Sequence, residues 1–141
     1  MKRFLLRCAY SFAMQRGFVR SLGAFLPLWA ASDAIYIGPT GPSATIRPEL
    51  RALRQIIACP TAADDDLYSQ LSHQSPWVVG YCFEALLARR SSLLDALPPD
   101  LSTRNESVSM GCGCFRSFEP LHSYVTHRLA AELNDPRSNV A

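Results

Sequence analysis

No acidic residue occurs before Asp33. The opening 32 positions carry Lys2, Arg3, Arg7, Arg16 and Arg20 with nothing of opposite sign to balance them. Since five of the 14 basic residues are placed there, the rest of the chain holds nine against all 12 acids. The net charge of +2 therefore belongs to the leader, and the remainder lacks the basic face that nucleic-acid binding requires. Also missing is an apolar run long enough for a membrane. Leu22–Ala31 contains Pro27 and falls short of the roughly 20 residues a spanning helix needs, which excludes a stable span there. Cysteine is present five times, an odd number that does not make a disulfide framework. No G-x-S-x-G elbow occurs. The loop from Gly38 to Ser43 has glycines and Thr40 but lacks the lysine and the spacing of a phosphate-binding loop.

These absences divide the chain. Residues 1–32 read as a basic leader or a non-core N-terminal extension, 33–136 as a single helical domain, and 137–141 as a tail. The leader has three readings: a secretory signal, an organelle-type leader, or an extension upstream of the natural start. Cys82 falls at a helical core position, which favours a reducing, cytoplasmic location. Export is the alternative if 1–32 is a signal peptide.

What is present is a dense apolar helix. Ser75-Pro76 is a helix-opening pair, because a serine hydroxyl accepts from first-turn amides and proline tolerates the first helical position. Val78, Cys82, Ala85 and Leu86 then share one face, and Val79, Phe83 and Leu87 form a second apolar row. A helix so apolar around its circumference must be covered on more than one side. Before it, Thr61-Ala62-Ala63-Asp64 fits a capping pattern, with Asp64, Asp65 and Asp66 in the first turn, and Leu67 and Leu71 one turn apart. The short link through His73-Gln74 predicts a tight antiparallel pair hinged there.

The string Leu67, Leu71, Ser75-Pro76, Val78, Cys82 and Ala85-Leu86 resembles one HEAT-type repeat, over about residues 64–90. Ser75 stands where that family usually has aspartate, and Val79 where it usually has arginine. The resemblance implies a mainly α domain with HEAT-like antiparallel helix pairs, and a role in binding other proteins.

Further helices are expected from about Pro48 to Ala58, with Leu50, Leu53, Ile56 and Ile57 inward, over Ser92–Leu97, and from near Phe118 or Glu119 through Leu121, Val125, Leu129 and Leu133. Short strand or extended segments are expected near 34–37 and 107–115. Gly38 to Ser43, with two prolines and two glycines, is expected to be turn or loop.

One constellation carries chemistry. Cys112 and Cys114, in a Gly-Cys-Gly-Cys segment, with His122, are the candidate metal ligands, soft enough in kind for zinc. His127 is a further candidate, but five residues on from His122 it diverges by about 140° on a helix. The same two thiols could serve redox chemistry if Arg116 or a helix start near Glu119 lowered a thiol pKa. Trp77 reads as core or as an interface anchor. The expectation is a protein-interaction or scaffold module without catalytic activity of its own, with another protein as partner, no cofactor implied, and oligomeric state open. A thiol-redox or zinc-binding protein using Cys112 and Cys114 is the alternative.

Overall fold

The computed structural model describes residues 22–59 and 62–135. Its central element is the expected apolar helix, α4 here, running Pro76–Ala88. Every residue from Val78 to Leu87 is buried, so this helix has no solvent face. Helices α1 (Leu22–Ala30), α2 (Pro48–Ala58), α3 (Asp64–Ser69) and α5 (Leu121–Leu133) and strand β1 (Ile35–Thr40) all pack on it. Its start differs from expectation in one detail. The Ser75 hydroxyl is buried without a partner, and the turn is held by His73, whose Nδ1 accepts from the Ser75 N–H at 2.9 Å. The Asp64 helix does begin with three acids in its first turn, but Ala63 is its N-cap; Thr61 lies outside the described residues. It tightens into a 3₁₀ turn over Gln70–Ser72 before the link to α4.

The fold class differs from the mainly α, HEAT-like expectation. Strands β1, β2 (Ser107–Gly113) and β3 (Phe115–Pro120) form a mixed sheet in that order, β1 parallel to β2 and β2 antiparallel to β3. The architecture is α/β. The physical reason lies with α4: a paired helix of a HEAT unit buries a stripe, whereas this helix is buried all round, covered by helices on several sides and by strand β1 on another. Helices α2, α3 and α4 fall within the long connection from β1 to its parallel neighbour β2, which a parallel pairing demands. Gly80 is where sheet and helix meet. A Cβ on it would lie 2.2 Å from Ile35 Cδ1, so only glycine allows this approach.

The boundary expected at Asp33 also moves. Phe25, Leu28 and Trp29 of α1 are fully buried in the same core as α4. Trp29 stacks on Tyr81 at 5.2 Å between centroids, and its Nε1 donates to the Glu49 carbonyl at 3.2 Å. Residues 22–32 therefore belong to the core, contrary to the non-core reading. The leader expectation for residues 1–21 and the tail at 137–141 lie outside the described residues. No described helix is long and apolar enough to cross a membrane.

Three smaller corrections follow from local chemistry. Strand β1 continues through Gly38 and Pro39 to Thr40, where turn or loop was expected; proline is tolerated because β1 is a sheet edge with a register shift between Tyr36 and Thr40. The segment Ser92–Asp95 is a 3₁₀ helix, followed by another at Pro99–Thr103. The last helix starts at Leu121, because Phe118 and Glu119 are still paired in β3.

Two polar hubs tie the helices. Arg89, at the end of α4, donates to the carbonyls of Ile56, Cys59 and Ala62 and to Asp64 Oδ1, gathering the carboxyl end of α2 and the start of α3. Glu84, buried in α4, accepts two bonds from Arg128, at 2.7 and 2.9 Å, and one from the Tyr124 hydroxyl. That bidentate pairing is what makes a buried carboxylate tolerable at the centre of the core.

Candidate functional site

The β2–β3 hairpin holds the thiols singled out by the sequence and two large apolar side chains that stand exposed. Cys112 pairs with Phe115, leaving Gly113 and Cys114 as a two-residue connection. Gly113 has φ +59°, and Cys114 is not among the residues at positive φ. This combination fits a II′ hairpin turn, which wants glycine first. Cys112 and Cys114 are free and exposed at the hairpin tip. The Cys112 sulfur leans over Gly38 of β1, 2.8 Å from where a Cβ there would sit, on the side of β2 away from β3.

The structure does not bring His122 to these thiols. It follows β3 at the far end, separated from Cys114 by about 20 Å of strand. Its Nδ1 donates to the Arg104 carbonyl at 3.0 Å, which leaves Nε2 to accept from the Ser123 hydroxyl at 3.1 Å. His127 pairs with Glu119 at 2.7 Å. Among the described residues no three His, Cys, Asp or Glu side chains are grouped to hold a metal ion. Neither expected activator of a thiolate is in place. Arg116 is engaged elsewhere, and the α5 amino terminus is at the opposite end of the hairpin.

Arg116 instead anchors the hairpin to the body. Tyr36, Gly111 and Arg116 form one row across the three strands. Arg116 donates to the Tyr36 hydroxyl at 2.9 Å and to Asp33 at 3.2 Å, and Tyr36 donates to Asp33 at 2.7 Å. Arg47 lies over the same ring at 5.3 Å. Gly111 leaves room for that ring, since a Cβ there would come within 2.9 Å of it. Burial, then the bond to Asp33, pushes the Tyr36 phenol up; the Asp33 carboxylate in turn raises Arg116. The hydroxyl of Ser109 adds a bond to the Asp33 carbonyl at 3.0 Å.

The other side of β3 has no such cover. As the outer strand it is unpaired along one edge among the described residues, and every residue but Glu119 is exposed. Phe115 is 84% and Phe118 70% exposed. They point to opposite faces. Phe115 shares the side of Val108, Met110 and Ile35 that packs on α4, and Phe118 shares the side of Ser109 and Gly111. Edge strand β1, in contrast, is blunted by Pro39, by its irregular register and by the Thr40–Thr45 bridge that folds the following turn back on it. Natural sheets protect edges in such ways; β3 has the terminal Pro120 and the charges of Arg116 and Glu119, with no bulge in its pairing to β2.

Sequence reasoning did not single out Phe115 and Phe118. The available signal was Gly113-Cys114 as a two-residue turn between two extended runs. Trp77, read as core or interface anchor, is half-buried and packs against the core. A shallow groove of about 150 Å³ opens near His122, lined by Leu97, Pro99, Leu101, Val125 and Thr126, and its floor is largely apolar. No protein-family model, curated protein or solved structure matches this chain.

Proposed function

We propose that this chain is a protein-interaction module without catalytic chemistry of its own, and that its binding element is the open edge of β3. One observation supports the reading: an outer strand whose backbone edge is unpaired among the described residues carries two phenylalanines that stand in solvent. Unpaired N–H and C=O groups template an added strand, and alternate side chains supply selectivity. The ligand class is an extended protein segment with apolar residues at alternating positions. Phe115 and Phe118 are its contacts, one on each face of the sheet.

The test is peptide selection. A displayed library of random 12-residue peptides is selected on the wild-type chain, and selected sequences are measured by fluorescence anisotropy. A Phe115→Lys/Phe118→Lys variant should keep its melting temperature, because both rings lie outside the core, and should bind at least about 10-fold more weakly. Failure to select any binding peptide, or equal binding by both proteins, overturns the proposal.

A further inference from the structure

We propose that the hairpin end of β2 binds a soft monovalent metal ion, Cu(I), through the sulfurs of Met110, Cys112 and Cys114. This site is separate from the β3 edge and does not depend on what the edge binds. The segment Met110-Gly111-Cys112-Gly113-Cys114 places sulfur at every second position, with glycine between. Met110 and Cys112 share one face of β2, since side chains alternate along a strand. Their Cα atoms are about 6.6 Å apart at 3.3 Å per residue, a gap that a flexible thioether and a thiol can close on one ion. Cys114 does not run on past them. Gly113, at φ +59°, reverses the chain. A four-residue turn brings its ends within about 7 Å, so Cys114, inside the turn from Cys112 to Phe115, stays in reach of the same ion.

The neighbouring strand makes room. Between the pairs Tyr36–Gly111 and Thr40–Gly113, β1 has Ile37, Gly38 and Pro39 where β2 has Cys112 alone. Such an irregularity re-aims a side chain. Here Gly38 faces the Cys112 sulfur, and a Cβ at that position would lie 2.8 Å from it. Both thiols are free and exposed, so an ion can reach them. Met110 is half-buried and packs on the core, which gives the site a floor. The donor set then selects the ion. A structural zinc site takes four ligands, and among the described residues no third His, Cys, Asp or Glu joins the two thiols. Arg116, with Asp33 bonded to it, belongs with Gly111 on the opposite face. Thiolate and thioether sulfur together suit Cu(I). Binding releases one proton from each thiol to water and changes no oxidation state. The remoteness of His122, which removes the zinc set, leaves this one intact.

The experiment is a competition for Cu(I) on the full chain. The background carries Cys8→Ser and Cys59→Ser, leaving the two hairpin thiols and buried Cys82. Cu(I) is supplied anaerobically under reductant as its coloured bicinchoninate complex, and the loss of colour reads transfer to the protein. The chain should withdraw one equivalent. Loss of an outer-shell partner weakens metal sites about 10–100-fold, so loss of a direct ligand in Cys112→Ser or Cys114→Ser should cost at least about 100-fold. Met110→Leu, which keeps the volume and the melting temperature, should cost about 10-fold. X-ray absorption at the copper edge should show a first shell of sulfur alone. Failure to withdraw Cu(I) from bicinchoninate, or full binding by the Cys112→Ser/Cys114→Ser variant, overturns the site. Zn(II) bound as tightly as Cu(I) overturns the choice of ion. Unchanged affinity in Met110→Leu, or nitrogen or oxygen in the first shell, overturns the three-sulfur set.

Discussion

Replacing Trp29 with alanine tests whether residues 22–32 belong to the folded unit. The indole is fully buried, stacked on Tyr81, with Phe25 at 5.9 Å and a hydrogen bond to the Glu49 carbonyl. Truncating such a side chain removes its transfer free energy and leaves a cavity, together about 3–5 kcal/mol. Domains are stable by about 5–15 kcal/mol, so this is a large fraction of the whole. At about 3 °C per kcal/mol the midpoint should fall by roughly 10–15 °C. Thermal and urea melts followed by far-ultraviolet circular dichroism read the change. Trp29→Phe, which keeps most of the ring and loses the hydrogen bond, should lose only about 1–2 kcal/mol. Deletion of residues 1–31 should abolish cooperative unfolding. If Trp29→Ala melts within about 2 °C of wild type, a shift worth well under 1 kcal/mol, α1 does not pack in the core and the reasoning fails.

Gly80→Ala should destabilise by about 1–3 kcal/mol even though alanine is the better helix former, because Ile35 is fully buried and has nowhere to move; a stabilised variant would show that α4 and β1 are further apart than described. The Arg89 guanidinium holds the Asp64 carboxyl below the usual carboxylate range. Its contribution is thus complete above the unfolded value of about 3.9 and is lost as pH falls through the lower folded value. Asp64→Asn should lower stability near pH 7 and show a shallower loss between neutral pH and acid than wild type; parallel stability–pH curves would contradict the pairing. Arg128→Met should lose about 2–4 kcal/mol by leaving the Glu84 carboxylate buried without its cation, and Glu84→Gln in that background should recover part of the loss. An Arg128→Met chain as stable as wild type would mean that Glu84 is solvated.

How much of this was legible follows from where the chemical signals are local. Ser75-Pro76 marks a helix start, and the unbroken apolar run after it requires burial all round, so α4 was readable. The spacing of Leu50, Leu53 and Ile56 likewise marks the inner face of α2. Strand β1 was half-visible, since Ile35-Tyr36-Ile37 is extended by composition, but Pro39 hides its continuation along a sheet edge. Helix α1 was hidden because acid-free composition is a weak guide to packing, and Trp29 finds its partners, Tyr81 and Glu49, far along the chain. The hairpin was hardest. Gly111, Cys112, Gly113 and Cys114 have weak strand propensity, and they invite a thiol reading that long-range geometry then disperses, because His122 lies past the far end of β3. The exposure of Phe115 and Phe118 depends on which strand ends up outermost. That is a property of topology, which periodicity along β3 does not encode.

Backbone hydrogen exchange on β3 tests the central claim most directly. The outer strand of the sheet should exchange quickly at low protein concentration. Residues 115–119 should gain protection when a selected peptide is added, with little change elsewhere. Protection that appears instead around the groove lined by Leu97, Leu101 and Val125, or a β3 already protected when dilute, would contradict an open, binding edge.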